Sequence, residues 1–150
     1  MSSLKDLYEQ DFYAWTQHTA KALKNKQFDQ VDVDHLLEEV ESMGRSDFRE
    51  LRSRLVVLIA HLLKWACQPG HRSSNWTGTI TKQRQEIDFL LQDSPSLKNK
   101  LYELVNDSKV YDKAVKLAIN DTGLDEQAFP RCCPYSVDQL LDDDHYPEAH

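Results

Sequence analysis

Apolar side chains recur at intervals of three and four residues along most of the chain, and no segment alternates apolar and polar residues as a half-buried strand does. This spacing places the apolar residues on one face of an α-helix. The longest such series comprises Phe48, Leu51, Leu55, Ile59, Leu62 and Ala66. The sequence therefore predicts an all-α fold.

Capping and breaking residues divide this pattern into about five helices, near residues 11–24, 32–43, 46–67, 74–93 and 95–122. The first helix has an alternative start at Ser3, and the last has an alternative break near 106–108. Gly44 suits the position just past the end of the second helix. Because the connections are short, we expect an antiparallel bundle. We expect one helical domain over residues 1–150, with a core at about 8–123, a C-terminal loop and short helix at 124–142, and an acidic tail at 143–150.

The length, net charge and cysteine content of the chain disfavour some classes of protein. A chain of 150 residues can bury a core without metals or disulfides, and the net charge of -7 argues against a whole-surface grip on nucleic acid or anionic lipid. Cys67, Cys132 and Cys133 include no C-x-x-C pair, which indicates reduced thiols. No signal sequence or membrane-spanning run is apparent, since the longest uncharged apolar run covers only Leu55 to Leu63. We therefore expect a soluble cytoplasmic protein.

Several segments in one order resemble the bacterial domain of unknown function numbered 29. The matching residues are Tyr8, Asp11, Phe12, Tyr13 and Trp15; Asp34, Leu36, Glu38, Glu39, Val40 and Glu41; His61, Leu62, Leu63, Lys64, Trp65, Gln68 and Pro69; Trp76, Thr79, Ile80, Gln83, Arg84 and Ile87; Asp93, Ser94, Pro95, Ser96 and Leu97; and Thr122, Gly123, Leu124, Phe129, Pro130, Cys133, Pro134 and Tyr135. The resemblance implies an all-helical domain. It implies no activity and supplies no catalytic residues.

Polar residues on apolar helix faces form a first candidate site. Glu39 flanks the apolar stripe of the second predicted helix, which consists of Leu36, Val40 and Met43. His61 lies between Val57 and Trp65, and Gln83 and Arg84 lie in or beside the stripe of the fourth. Buried polar groups need partners, so we expect Glu39, His61 and Arg84 to pair with one another. Glu39 and His61 are the candidate catalytic residues. The alternative is a structural network that fixes the register of the helices.

An anion site at the start of the fourth helix is a second candidate. Arg72 and Ser74 lie where free N–H groups and the helix dipole attract phosphate or carboxylate. With them, the candidate ligand-binding residues are Lys64, Arg72, Ser74, Trp76, Gln83 and Arg84. The alternative is an ordinary serine cap, with Ser74 as the capping residue, beside a solvated arginine.

A basic stripe of Arg45, Arg49 and Arg52 is a third candidate, for contact with nucleic acid phosphates. We favour ion pairing of this stripe with the acidic second helix, which an antiparallel arrangement would place alongside it. Nucleic acid is therefore not an expected partner.

Taken together, these patterns favour a non-enzymatic helical module that binds another protein or itself. The rival hypothesis is an enzyme or binding protein for a small anionic ligand, with Glu39 or His61 as base and Arg72 and Arg84 as anion contacts. No metal site is predicted, because neither H-E-x-x-H nor E-x-x-H occurs. We expect no cofactor and no membrane contact.

Overall fold

Seven α-helices and three short 3₁₀ turns make up the regular structure in a computed structural model of the chain, which describes residues 4–149. The helices are α1 (Leu4–Gln10), α2 (Phe12–Lys24), α3 (Val33–Cys67), α4 (Ser74–Asp93), α5 (Leu97–Val105), α6 (Ser108–Thr122) and α7 (Val137–Leu141). Over this range no residue forms a strand, which confirms the all-α prediction. None of these helices has the length and apolar content that a membrane crossing requires.

Asp11 separates the first two helices and caps the second of them. Its carboxylate accepts a hydrogen bond of 3.0 Å from the backbone N–H of Ala14, as an N-cap aspartate does. The predicted first helix therefore starts where Asp11 placed it, but another helix, α1, precedes it. The alternative start at Ser3 lies outside the described residues.

The predicted break at Gly44 is wrong, because α3 runs without interruption for 35 residues from Val33 to Cys67. Gly44 lies inside this helix, where glycine costs about 1 kcal/mol relative to alanine. Its neighbours include Glu41, Met43 and Arg45, which are good helix formers, and they outweigh one unfavourable position. The acidic and basic segments assigned to separate helices therefore belong to one helix and cannot lie antiparallel to each other.

The chain divides into two compact units, one up to Ser46 and one from Asp47 onwards, so that α3 begins in the first and ends in the second. In the first unit, Trp15 and Ala22 of α2 are buried. The ring of Tyr8 contacts Trp15 edge-on at 5.0 Å and stacks on His35 at 3.9 Å. Aromatic contacts thus join α1 and α2 to the first turns of α3.

The second unit has a larger core, built on the C-terminal half of α3. This segment is apolar on several sides, which is typical of a helix surrounded by others. The fully buried large side chains of the unit are Leu51, Leu55, Leu58, Ile59, Leu62, Leu63, Ile80, Ile87, Leu101, Val110 and Leu140.

In the last third of the chain, the helix ends lie at capping and breaking residues that are recognisable in the sequence. The expected break near 106–108 separates α5 from α6, where the carboxylate of Asp107 accepts from the N–H of Lys109. Gly123 ends α6 with a left-handed φ of 72°, a conformation that glycine adopts without strain. Ser136 and Gln139 form a reciprocal capping box at the start of α7. The segment after Gly123 also adds buried residues to the core of the unit, namely Phe129, Tyr135, Val137 and Leu140.

Candidate functional site

Glu39 lies in the first unit and bonds with α1. The phenol of Tyr8 donates a short hydrogen bond to Oε1 of Glu39, and both residues are half-buried. This bond is the main cause that raises the pKa of Tyr8 to about 12, because the neutral phenol is the form that donates. The partial burial expected for Glu39 is confirmed, and its hydrogen-bond partner is a tyrosine rather than His61 or Arg84.

His61 lies in the second unit and bonds within its own helix. Its Nδ1 is 3.0 Å from the carbonyl oxygen of Val57, one turn earlier in α3. Burial lowers the pKa of His61 by disfavouring the charged imidazolium. The neutral ring therefore donates from Nδ1 to a helix carbonyl, which is a structural role within α3.

Arg84 is 3% exposed and binds the backbone of the C-terminal segment. Its Nε donates to the carbonyl of Leu140 at 2.8 Å, and its Nη2 donates to those of His145 at 2.8 Å and Gln139 at 3.2 Å. The guanidinium thereby satisfies carbonyls at the end of α7, as a cation at a helix C-terminus does. The mutual pairing predicted for Glu39, His61 and Arg84 is therefore wrong, since each has a different partner.

Arg72 packs against α3 instead of facing an open anion site. Its Nε donates to the carbonyl of Trp65 at 2.9 Å, and its guanidinium carbon lies 4.7 Å from the centre of the Trp65 ring. The N-cap of α4 is Ser73, whose hydroxyl accepts from the N–H of Trp76 at 3.3 Å, whereas Ser74 is the first helical residue. The serine cap of the alternative interpretation is present, one position earlier than expected.

Lys64 is buried, and it forms an ion pair of 3.0 Å with Asp121 of α6. Its ammonium also lies 4.9 Å from the centre of the Trp76 ring, within range of a cation–π interaction. The structure thus brings Lys64 and Trp76 together, as the anion-site hypothesis requires. The positive charge of Lys64 is nevertheless already matched by a carboxylate.

The aromatic rings of Trp65 and Tyr146 connect two more of the candidate residues. Tyr146 packs on Trp65 with a ring separation of 4.8 Å, and the Arg84 guanidinium lies 5.6 Å from the Tyr146 ring. Arg72 therefore lies over Trp65 and Arg84 over Tyr146, the two rings of one aromatic pair near the C-terminal end of α3. Cations above aromatic faces favour packing of this segment, and four of the five N–H donors of Arg84 already bond to backbone carbonyls.

The arginine-rich part of α3 carries its own carboxylates. Arg45 pairs with Glu41 at 3.6 Å, and Arg54 pairs with Glu50 at 3.4 Å, both one helical turn apart. Arg54 also lies 3.9 Å from Glu86 and donates to the buried Gln83. Glu41 thus offsets the charge of Arg45, one of the three arginines of the basic stripe, within the same helix.

An exposed apolar row on α3 is the feature that the sequence interpretation missed. We call Val33, Leu37 and Val40 the α3 stripe; their exposed fractions are 64%, 56% and 51%, and Met43, further along α3, is 62% exposed. At 100° per residue, Val33, Leu37 and Val40 lie within about 60° of one another. Val40 and Met43, which were predicted to lie with Leu36 on the apolar face of their helix, are instead open to solvent.

The face of α3 that is covered in the first unit lies elsewhere on the helix. It carries Asp32, His35, Leu36 and Glu39, all buried or half-buried, and it includes the two residues that contact Tyr8. The spacing of Val33, Leu37 and Val40 was visible in the sequence as a second apolar face. The sequence interpretation did not distinguish this face from the face of Leu36, because it assigned Val40 to the same stripe as Leu36.

Other features of the described residues add no reactive centre. Within residues 4–149, no three histidine, cysteine or acidic side chains are placed to hold a metal ion. The three cysteines are free thiols, and burial raises the pKa of Cys67 and Cys133. A raised pKa keeps a thiol protonated and therefore weakly nucleophilic at neutral pH.

A comparison with models of known protein families identifies the family of this chain. The model of the family described as "Domain of unknown function DUF29" matches residues 7–146, which include all seven helices except the start of α1. No curated protein and no solved structure matches the chain. With 140 of its 150 residues aligned to that model, the chain belongs to the DUF29 family.

Proposed function

We propose that this protein is a non-catalytic helical module that binds another protein through the α3 stripe. The observation that carries the proposal is the exposure of Val33, Leu37 and Val40 in one row on one helix, with Met43 also exposed further along it. Single exposed apolar residues are common on protein surfaces, whereas contiguous apolar patches mark interaction sites.

The concentration of exposed apolar residues near the stripe supports the same proposal. Of the ten exposed large apolar side chains in the described part of the chain, eight lie between Phe12 and Met43. Burial of apolar surface contributes about 25 cal/mol per Å². Burial of four such side chains against a partner would therefore contribute favourably to the free energy of binding. Amphipathic helices recognise grooves and other helices by burying their apolar faces in this way.

The rival functions have less support. An enzyme for a small anionic substrate needs a free base and a free cation, but His61 bonds to Val57, Arg84 to four backbone carbonyls, and Lys64 to Asp121. A nucleic-acid site on Arg45, Arg49 and Arg52 is disfavoured because Glu41 pairs with Arg45 and because a net charge of -7 repels phosphate. Three free thiols favour a reducing compartment, so we place the module in the cytoplasm.

Photo-crosslinking from the stripe tests the proposal. A benzophenone amino acid replaces Leu37 in one full-length variant and Lys98, an exposed residue of α5, in a matched control. Both variants are expressed in cells of the source and irradiated. We expect a discrete protein adduct from position 37 and none at that mass from position 98.

A second substitution shows whether such an adduct depends on the apolar row. Val40→Ser, introduced beside the probe at position 37, removes apolar surface one turn away without touching a buried residue. We expect the adduct to fall at least about tenfold, which corresponds to about 1.4 kcal/mol of binding free energy. Equal labelling from both probe positions, or an adduct unaffected by Val40→Ser, would contradict the proposed function.

A further inference from the structure

We propose that the second unit binds a small zwitterionic ligand, an amino acid or a short peptide, in a cavity beside α6. The cavity has a volume of about 680 Å³ and lies between α6 and the segment that follows Gly123. It shares no lining residue with the α3 stripe, so this inference goes beyond the proposed function. Opposite charges and a buried apolar floor line the cavity, and their combination selects the class of ligand.

Charged side chains of both signs line this cavity without pairing. They are the cations Lys116 and Arg131 and the acids Asp112 and Glu126, all of them exposed. None of the four forms an ion pair with another residue in the described range 4–149. Asp112 and Lys116 lie one turn apart on α6, a spacing at which Glu41 and Arg45 do pair. The four charges are therefore open to a ligand.

One acid and one cation lie at the same end of the cavity. Asp112 and Arg131 also line a second cavity of about 230 Å³, whereas the other two charged residues line only the larger one. The carbonyl of Pro130 accepts a hydrogen bond of 2.7 Å from the hydroxyl of Tyr111. This bond holds the chain just before Arg131 on the side of α6 that carries Tyr111. A ligand at this end therefore meets a carboxylate and a guanidinium together.

The apolar part of the lining is buried in the core of the unit. Val115 and Phe129 border the larger cavity and are only 7% and 5% exposed. Ligand cavities typically combine apolar walls with a few polar groups that fix the orientation of the ligand. An apolar ligand side chain that contacts this floor leaves the charged groups of the ligand at the charged rim.

The smaller cavity adds a buried polar group without a partner. Tyr135 lines this cavity and is 6% exposed, and its hydroxyl has no hydrogen-bond partner within the described part of the chain. A buried donor without an acceptor is costly. A carbonyl or carboxylate oxygen of a ligand that extends into this cavity would supply the acceptor.

The mixed charge disfavours ligands of a single sign. Lys116 and Arg131 attract an anion such as phosphate, but the two acids repel it, and the reverse holds for a cation. A zwitterion matches both signs. In a free amino acid the ammonium and carboxylate groups are on one carbon, which suits Asp112 and Arg131. In a dipeptide they are further apart, so that the carboxylate binds the guanidinium fork of Arg131 and the ammonium reaches Glu126.

The test titrates the full-length protein with four compounds and follows its backbone amides by NMR. The zwitterions are phenylalanine and the dipeptide leucyl-phenylalanine. The analogues are N-acetyl-phenylalanine, which lacks the ammonium group, and phenylalaninamide, which lacks the carboxylate. We expect a zwitterion to bind at least about tenfold more tightly than either analogue, because each analogue leaves one charged contact unmade.

Substitutions locate the site and distinguish the two sources of ligand. Arg131→Gln should weaken binding at least about fivefold. Lys113→Gln removes the same charge from an exposed position of α6 outside the cavity and should leave binding unchanged. Asp112→Asn should weaken phenylalanine more if a free amino acid is the ligand, and Glu126→Gln should weaken the dipeptide more if it is a short peptide. Circular dichroism melting confirms that each variant is folded.

Three results would overturn the inference. The first is that neither zwitterion binds, and the second is that an analogue binds as tightly as the zwitterions. The third is that Arg131→Gln and Lys113→Gln have equal effects, which would mean that the net charge rather than the cavity controls binding. Amide shifts confined to residues outside α6 and 126–135 would likewise place the ligand elsewhere.

Discussion

The ammonium of Lys64 lies 3.0 Å from Oδ2 of Asp121, although 57 positions separate the two residues in sequence. The pair joins the end of α3 to the end of α6, and the side chain of Lys64 is only 6% exposed, whereas that of Asp121 is 39% exposed. Loss of either partner therefore has unequal consequences, since only the lysine would be left charged in a buried position.

Asp121→Asn should lower the free energy of unfolding by about 1–3 kcal/mol, because it leaves the buried ammonium without its counter-charge. Lys64→Met combined with Asp121→Asn should lose less than the sum of the single variants. Urea unfolding of both single variants and the double variant measures this coupling. Additive losses would mean that the two side chains do not interact in solution.

Arg84→Met should destabilise the second unit by about 2–4 kcal/mol, because the buried carbonyl of Leu140 and the partly buried carbonyls of Gln139 and His145 lose their donor. Arg49→Met, on an exposed arginine of α3, is the matched control and should change stability by less than about 0.5 kcal/mol. Limited proteolysis should also cut residues 136–146 sooner in Arg84→Met. Equal stability and equal cleavage in the two variants would contradict the anchoring role.

Gly44→Ala should stabilise the protein by about 0.5–1 kcal/mol. The glycine has helical backbone geometry inside α3, and an added Cβ meets no atom within 4 Å. The matched substitution Gly123→Ala should instead destabilise it, because φ at this residue is +72°. Thermal unfolding of the two variants distinguishes a continuous α3 from a helix that ends at Gly44, for which Gly44→Ala would also be unfavourable.

His61 should make stability sensitive to mildly acidic pH. Burial lowers the pKa of His61 below its ordinary value of 6.5, so the unfolded chain takes up the proton first as the pH falls. This contribution to stability is complete above about pH 7 and declines as the pH drops through 6.5 toward the lowered pKa. We expect His61→Leu to show a shallower loss of stability between about pH 7 and about pH 5.

The control for this prediction is His71→Leu, which removes an exposed histidine near the same end of α3. Urea unfolding at a series of pH values should give the His71→Leu variant the slope of the unaltered protein. If the His61→Leu variant has that same slope, then His61 is solvated and does not pack as described.

The phenol of Tyr8 should titrate near pH 12, well above the ordinary value of 10.0, because it donates to Glu39. Its contribution to stability is complete below about pH 10 and is lost as the pH rises toward 12. Carbon-13 NMR of the tyrosine Cζ atoms follows each phenol separately. Glu39→Gln should bring the pKa of Tyr8 back toward 10, whereas Glu38→Gln, which acts only through its charge, should have a much smaller effect.

Local signals predicted much of the secondary structure. Asp11, Asp107 and Ser136 each accept a hydrogen bond from a backbone N–H two or three residues later, and Gly123 adopts the left-handed conformation that ends α6. These interactions lie within a few residues of sequence, so the amino acid types alone are informative. The burial of Gln83 and Arg84 was likewise visible from their position among apolar residues of α4.

The break expected at Gly44 shows where local reasoning fails. A glycine inside a helix costs only about 1 kcal/mol, which neighbouring residues can offset, so its presence does not determine where a helix ends. The continuity of α3 also changes the interpretation of its charges. The acids and arginines were assigned to two adjacent helices, but they lie on successive turns of one helix.

The partners of the polar residues could not be predicted for a different reason. Arg84 binds backbone carbonyls, which every residue possesses and no sequence pattern marks. Lys64 binds an acid in a helix 57 positions away, one of many acids in the chain. The need for a partner follows from burial, but its identity depends on tertiary packing.

The bonds of Arg84 also have a consequence for the order in which the second unit is made. Its carbonyl partners are translated 55 to 61 positions after the arginine itself. At synthesis rates of about 5–20 residues per second, α4 waits about 3–12 seconds on the ribosome before the chain that satisfies its guanidinium exists. During that interval the four carbonyls that the guanidinium binds do not yet exist, so this part of the core is completed only after Gln139 to His145 have been added.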